Sequence, residues 1–127
     1  MQDMIDWIEE VTGYEVMTVP EGIDHSRTAS KKGYVPKHKK YTVTLLQDVP
    51  RRSGVYIFFD KSGAVAYIGR ASNLRDRIRG HLTGIANTKD SKEVFHRVAY
   101  FQCLEYDARP LERHLIETLQ PYVNVKA

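Results

Sequence analysis

Two short runs of β-branched and aromatic residues, joined by a tight turn, constrain the fold of this chain more than any other feature. GVYIFFD (residues 54–60) is apolar on both faces and predicts a buried central strand. DKSG (60–63) ends on a glycine that is free to adopt a positive φ, and AVAYIG (64–69) supplies the partner strand. The sequence therefore predicts a β-hairpin within an antiparallel sheet.

The residues on either side of this hairpin predict helices and further strands. Apolar residues recur at helical spacing in three places: Met4, Ile5, Ile8 and Val11; Leu74, Ile78 and Leu82; and Leu111, Leu115 and Leu119. KYTVTLL (40–46) and VAYFQCLE (98–105) have the composition of strands. We therefore expect an α+β fold, in which a small three-stranded antiparallel sheet is flanked by helices and preceded by an N-terminal extension with a helix and a strand.

Residues with special backbone preferences mark the ends of these helices. Gly13 is expected to end the first helix, and Ser72 or Asn73 to cap the second. Asp107 is expected to cap the last helix, which would continue to about residue 120 and hold Pro110 in its first turn.

The first 49 residues differ in composition from the rest, and we expect an extension over residues 1–49 and a compact domain over 50–127. No acidic residue lies between Asp24 and Asp48. That interval contains six cations: Arg27, Lys31, Lys32, Lys37, Lys39 and Lys40. Two interpretations stay open, a solvated connector or an arm that follows phosphates, and the formal net charge of +3 weakly favours an anionic partner.

Cysteine and hydropathy exclude several classes of protein. A lone Cys103 within an apolar run cannot form an internal disulfide, and it excludes a cysteine-based zinc site. No N-terminal stretch resembles a signal peptide and nothing approaches a membrane span, so we expect a cytosolic protein that does not bind membranes.

Arginine is concentrated where the hairpin passes into the second helix. Arg70 precedes this helix, and Arg77 and His81, four residues apart, share one of its faces. Arg75 and Arg79 form a separate row. So many guanidinium groups at one corner suggest contact with something anionic.

Glu112 is the acidic residue of interest in the last helix, because it lies near the edge of the apolar stripe. A carboxylate beside a buried face requires a cation or a metal ion as partner. The alternative is a first-turn acid that the helix dipole favours.

The arrangement of these residues is more specific than any one of them. GVY (54–56), YIG (67–69), an arginine ten residues after Tyr67 and a glutamate on a later helix resemble the GIY-YIG nuclease family. The resemblance covers residues 52–125 and is to the N-terminal nuclease domain of bacterial excision-repair endonucleases. DARPLERHLIETLQPYVNV (107–125) is similar to that family's closing helix, whereas His81 is similar to some GIY-YIG restriction enzymes.

This resemblance implies a metal-dependent endonuclease that hydrolyses phosphodiester bonds in DNA. Glu112 would hold one divalent cation, Mg²⁺ or Mn²⁺, and Arg77 would bind the phosphate and offset the charge of the transition state. Tyr56 or Tyr67 would deprotonate the attacking water, with its pKa lowered by nearby cations, and His81 would relay the proton.

Further residues would support this site or bind the nucleic acid. Asn124 would support the site through hydrogen bonds, and Arg70 replaces a lysine that is usual in the repair enzymes, so it would act electrostatically. The residues expected to contact DNA, duplex or branched, are Arg70, Arg75, Arg79, Lys31, Lys32, Lys37, Lys39 and Lys40. Specificity would come from the extension, a homodimer or a partner protein.

Two alternatives stay open. One is an inactive GIY-YIG module that binds nucleic acid or protein, and the other is a nuclease for RNA or structured DNA. The second remains because contacts to phosphates carry no information about the bases.

Overall fold

A computed structural model describes residues 2–19, 46–82 and 94–126 of the chain. Several sequence predictions fall outside these residues: the cations Arg27, Lys31, Lys32, Lys37, Lys39 and Lys40, and the strand predicted over 40–46 up to residue 45. Leu46, the last residue of that predicted strand, lies in a turn.

The described residues form four helices and four strands. In chain order they are α1 (Gln2–Thr12), β1 (Met17–Thr18), β2 (Gly54–Phe59), β3 (Val65–Ala71), α2 (Leu74–Leu82), β4 (Arg97–Gln102), α3 (Glu105–Leu119) and α4 (Tyr122–Lys126). The described strands form an antiparallel sheet in the order β1-β4-β2-β3. None of the helices formed by these residues has the length and apolarity to cross a membrane.

The predicted α+β class and the hairpin are confirmed. Strand β2 lies between β3 and β4, and all of its residues are buried. In the turn, the Asp60 carboxylate accepts hydrogen bonds from the backbone N–H groups of Ser62 (2.9 Å) and Ala64 (3.0 Å), while Gly63 adopts a φ of +91°. These bonds hold the two strands in register, with Tyr56 opposite Gly69.

The sheet has four described strands rather than the expected three. Met17 and Thr18 of the extension form β1 and pair with Tyr100 and Ala99 of β4. Two residues are too few to show an alternating pattern, which is why the sequence did not predict this strand.

Helices cover both faces of the sheet. On one face, Leu74 and Ile78 of α2 are fully buried in a core with Tyr56, Phe58 and Phe95. On the other face, α1 and α3 pack against a second core, which contains Ile5, Ile8, Ile57, Phe101 and Leu115. The predicted apolar faces of these helices are therefore confirmed except at Val11, which is 41% exposed, and Cys103 is buried in the second core as a small hydrophobic residue.

Helix α2 is capped by Asn73. Its side-chain oxygen accepts the backbone N–H of Asp76 at 3.1 Å, and its amide donates to the Asp76 carboxylate at 3.0 Å. Of the two residues that the sequence offered for this cap, Asn73 makes the hydrogen bond expected of it.

Helix α3 begins earlier than the sequence indicated, and two predictions about it are wrong. It starts at Glu105, and the N-cap position is Leu104, which makes no side-chain capping bond. Asp107 is therefore inside the first turn, where its carboxylate accepts the hydroxyl proton of Tyr14 at 3.1 Å. Pro110 lies in the second turn rather than the first.

The described part of the extension is packed on the domain. The Tyr14 ring stacks on Phe101 with centroids 5.5 Å apart, and Glu9 accepts the backbone N–H of Val16 at 2.8 Å. Gly13, with a φ of +75°, ends α1 as predicted and turns the chain back toward the sheet. Ile5, Ile8 and Val16 thus share the second core with β2, β4 and α3, whereas Val19 belongs to the first core.

Candidate active site

A small cleft opens at the edge of the sheet, beside the C-terminal half of β3. Its volume is about 210 Å³, and it is lined by Tyr56, Tyr67, Gly69, Arg70, Arg77 and Glu112. Strands β2 and β3, helix α2 and helix α3 all contribute to it. The structure therefore brings together five of the side chains that the sequence singled out.

Gly69, the last residue of the YIG run, makes room for this cleft, a role that was not predicted from the sequence. A Cβ atom at this position would overlap the phenol of Tyr56, which lies across Gly69 from the neighbouring strand. Glycine inside a strand is the signal that could have revealed this close approach. The Tyr56 ring can reach the cleft only because residue 69 lacks a side chain.

Tyr56 and His81 form a buried hydrogen-bonded pair. Their exposed fractions are 1% and 0%, and the Tyr56 hydroxyl lies 2.6 Å from His81 Nε2. The Arg77 guanidinium lies close enough to Tyr56 to lower the pKa of its phenol, and a guanidinium can act only as a donor toward that oxygen. A donor facing the phenol oxygen favours the tautomer in which the Tyr56 hydroxyl donates to Nε2 and the neutral imidazole carries its proton on Nδ1.

Burial keeps both members of this pair uncharged. It raises the pKa of Tyr56 well above its usual value of 10, and the nearby Tyr67 raises it further, while Arg77 lowers it. Burial, assisted by Arg77, lowers the pKa of His81 to about 4. Desolvation therefore outweighs the effect of Arg77 on the pKa of Tyr56, and a lowering of this pKa by the arginines together with a bound metal ion stays a prediction.

Aromatic rings surround His81 and explain why it is so poorly solvated. Its ring centroid lies 5.0 Å from that of Tyr67, 5.3 Å from Tyr56 and 5.5 Å from Phe58. Tyr67 is itself 8% exposed, with its ring centroid 6.3 Å from that of Tyr56. The two tyrosines and the histidine form one aromatic group, of which both tyrosines line the cleft.

Glu112 enters the cleft from α3. It lies two turns into this helix, so the alternative of a first-turn acid stabilised by the dipole is wrong. Its side chain is 22% exposed, and Oε1 lies 3.4 Å from Nε of Arg70. Burial raises the pKa of Glu112, and the charges of Arg70 and Arg109 partly offset this rise.

The donor set of the cleft fits a hydrated divalent cation. Of the described residues that line it, Glu112 is the one acid. Across residues 2–19, 46–82 and 94–126, no three His, Cys, Asp or Glu side chains gather as metal ligands. Mg²⁺ keeps most of its water ligands and accepts one or two carboxylates, so a site with a single carboxylate suits it.

The arginines of α2 have different surroundings. Arg77 is exposed and lines the cleft. Arg75 donates from Nε to the Val49 carbonyl and from a terminal nitrogen to the Gln47 carbonyl, both at 2.7 Å, and so fastens the turn before β2. Arg79 pairs with Asp76 at 2.8 Å. Contact of Arg75 and Arg79 with DNA stays a prediction. To bind a phosphate, each guanidinium would have to share or give up its hydrogen bonds to the carbonyl oxygens or to Asp76.

Asn124 supports the edge of the site from α4. Its side-chain oxygen accepts the backbone N–H of Ile68 at 2.8 Å, and its amide donates to the Ile68 carbonyl at 2.9 Å. Strand β3 is the edge strand of the sheet that the described residues form, and none of those residues pairs with these two backbone groups as a further strand. The Asn124 amide replaces a strand partner one residue before Gly69.

Known proteins resemble this chain over the region that carries the cleft. The family model described as the UvrC-like GIY-YIG domain matches residues 52–125. UvrABC system protein C of Flavobacterium psychrophilum is 32% identical over 84 residues, which are 63% of this chain and 14% of that protein. The corresponding protein of Moorella thermoacetica is 37% identical, also over 63% of this chain and 14% of its own length. The chain thus matches only a small part of these curated relatives.

Solved structures agree with this relationship. The GIY-YIG N-terminal endonuclease domain of UvrC from Thermotoga maritima, bound to its catalytic magnesium, has a TM-score of 0.57 and 28% sequence identity. The match covers 66% of this chain and 96% of that domain. Because the family model spans more than half of the sequence and includes every element that forms the cleft, the chain belongs to the UvrC-like GIY-YIG domain family.

Proposed function

We propose that this protein is a metal-dependent endonuclease that hydrolyses phosphodiester bonds in DNA. The observation that carries the proposal is the convergence of a carboxylate (Glu112), a guanidinium (Arg77) and a tyrosine paired with histidine (Tyr56 and His81) at one cleft. The UvrC domain of Thermotoga maritima, which has this fold, is an endonuclease domain bound to a catalytic divalent cation.

The chain's own residues supply the proton path. The oxygen of a water molecule attacks phosphorus and the bond to the 3′ oxygen breaks. The 3′ oxygen takes a proton from solvent water, so the products are a 5′-phosphate and a 3′-hydroxyl. Tyr56 takes the proton of the water as it passes its own proton to Nε2 of His81. A concerted transfer avoids a free tyrosinate, which the raised pKa of Tyr56 makes scarce near neutral pH.

His81 is a weak terminal base in the absence of substrate. With a pKa of about 4, protonating it at pH 7 costs about 4 kcal/mol. A DNA phosphate at the cleft would lower this cost, because a nearby anion stabilises the imidazolium. In this scheme Arg77 binds that phosphate and donates to the Tyr56 oxygen, so it connects substrate binding with the proton path.

Glu112 would hold the Mg²⁺ or Mn²⁺ ion, which when bound polarises the phosphate and stabilises the departing 3′ oxygen. Tyr67 would pack beside the imidazole and form one wall of the cleft, and Asn124 would keep β3 in place.

Cleavage of both strands requires more than one copy of this cleft or two successive nicks. We propose that the domain of residues 50–127 carries the chemistry, and that the extension (1–49), a second copy or a partner protein contributes specificity. The cytosolic location expected from the sequence belongs to the same proposal.

The ion pair between Arg70 and Glu112 is the observation that favours an alternative, a module that binds nucleic acid without cutting it. A carboxylate held by arginine is less available to a metal ion. A metal titration and a cleavage assay together separate the two functions.

The test is cleavage of supercoiled plasmid with Mg²⁺ or Mn²⁺, beside an EDTA control. Glu112→Ala and Arg77→Ala are expected to lose activity by at least about a hundredfold. Glu117→Ala, which removes an exposed acid of the same helix, is the matched control and is expected to cut normally. Absence of cleavage on plasmid, branched DNA and RNA, with DNA binding unchanged in Glu112→Ala, would establish the binding module instead.

A further inference from the structure

Arg70 and Glu112 face each other across the cleft, and their contact has the character of an exchangeable ion pair. The distance from Nε to Oε1 is 3.4 Å, and the two side chains are 45% and 22% exposed. Ion pairs with this much access to water are weak, because solvent competes for both charges and two long side chains must be held in one geometry.

The charges around this pair are unbalanced. Arg70 and Arg77 line the cleft with a single acid among the described lining residues, and Arg109 lies close enough to lower the pKa of Glu112. Arginine cannot shed its proton to relieve the excess. A divalent cation that approaches Glu112 therefore meets a guanidinium already occupying its ligand.

We propose that Arg70 is an internal counter-ion of Glu112. A divalent cation displaces Arg70 from Glu112, and a phosphate of the DNA backbone then binds the released guanidinium. The proposal rests on the function proposed above and adds that metal and nucleic acid bind cooperatively. Without a metal ion, Arg70 neutralises Glu112. With one, Arg70 is released on the side of the cleft shared with Arg77, where the two guanidinium groups can bind one phosphate.

This exchange makes the two ligands depend on each other. A metal ion that binds alone must separate Arg70 from Glu112 without compensation. When a phosphate is present, it takes over the released guanidinium, so the metal binds more tightly. By linkage, the metal must increase the affinity for DNA by the same factor. Arg70 is thus a positioning residue that couples two binding events.

The first experiment measures Mn²⁺ binding by the full chain, from the electron paramagnetic resonance signal of the free ion. Arg70→Gln is expected to bind Mn²⁺ about threefold to tenfold more tightly than the wild type in the absence of DNA. Arg113→Gln removes an exposed arginine adjacent to Glu112 in sequence, whose partner is Glu117, and is expected to change the affinity less than about twofold. Glu112→Ala defines the background.

The second experiment repeats the titration with a short DNA duplex, in the Tyr56→Phe background to prevent cleavage. DNA is expected to tighten Mn²⁺ binding at least about fivefold with Arg70 present and less than about twofold with Arg70→Gln. Arg70→Lys keeps the charge and is expected to restore part of the coupling. If Arg70 had only a structural role, its replacement would not change the ratio of the Mn²⁺ affinities measured with and without DNA. Thermal melting confirms that each variant is folded.

The outcomes separate this proposal from the function on which it rests. Mn²⁺ binding that requires Glu112 but is equal in the wild type and Arg70→Gln, with or without DNA, overturns the role of Arg70 and leaves the nuclease intact. Mn²⁺ binding no tighter than that of Glu112→Ala in every variant overturns both.

Discussion

Acidification is expected to destabilise this protein through His81. The imidazole is fully buried, its Nε2 lies 2.6 Å from the Tyr56 hydroxyl, and burial lowers its pKa to about 4. In the unfolded chain the same group has an ordinary pKa near 6.5. At a pH between these two pKa values, His81 binds a proton in the unfolded state and is neutral in the folded state.

The sign and size of the effect follow from this difference. Because the folded pKa is the lower one, the stability that neutral His81 provides is complete above about pH 6.5 and declines as the pH falls toward 4. The loss is about 2 kcal/mol at pH 5 and approaches about 3 kcal/mol below pH 4. A domain of this size has a total stability of only about 5–15 kcal/mol, so the loss is easily measured.

Urea unfolding, followed through the fluorescence of the lone Trp7, measures this loss at about pH 7.5, 6 and 5. His81→Gln retains an acceptor for Tyr56 but cannot titrate, and its stability should fall about 2 kcal/mol less than that of the wild type over this range. His114→Gln, which removes an exposed histidine of α3, is the control and should keep the slope of the wild type. Equal slopes for wild type and His81→Gln would refute the assignment of a buried neutral imidazole.

Three further substitutions test the geometry of the cleft. Gly69→Ala places a Cβ against the Tyr56 phenol. It is expected to lower the free energy of unfolding in urea by about 1–3 kcal/mol and to remove most of the nuclease activity. Normal stability and activity would mean that the Tyr56 ring does not cross residue 69. Glu112→Gln removes a carboxylate whose pKa is raised by burial, so its ionised form opposes folding at neutral pH. Its Tm in EDTA is expected to rise by about 2 °C, and Mg²⁺ should stabilise only the wild type; a lower Tm would contradict this. Asn124→Ala removes the side chain that bonds the N–H and C=O of Ile68. It is expected to lower the free energy of unfolding by about 1–3 kcal/mol and to speed backbone hydrogen exchange at residues 67–70. Unchanged exchange would exclude a supporting role for Asn124.

Local sequence patterns predicted the elements around the site because they report on nearest neighbours. The apolar run of β2, the turn ending at Gly63 and the stripe of Leu74, Ile78 and Leu82 each specify an element without help from the rest of the chain. The resemblance to the family rested on the residue types and spacing of Tyr56, Tyr67, Arg77 and Glu112, which can be read directly from the sequence.

The incorrect predictions concern residues whose behaviour depends on distant partners. Asp107 has the side chain of a helix cap, but the helix begins two residues earlier, and its carboxylate binds Tyr14 from the extension, 93 positions away in the chain. Met17 and Thr18 form a strand only because β4 offers them an edge. The local sequence pattern indicates neither the contact of Asp107 with Tyr14 nor the strand at Met17–Thr18.

The sequence by itself determined the hairpin of β2 and β3, the apolar stripe of α2, the order in which the functional side chains occur and the family to which the chain belongs. The tertiary structure decided their chemistry. Tyr56 and His81, 25 positions apart, become an uncharged pair because the fold removes both from water. Glu112 becomes the partner of Arg70 because α3 brings it to the edge of β3 beside a glycine that leaves the cleft open. A pKa and an ion pair depend on solvent and charge within a few ångströms, and only packing determines which residues come that close.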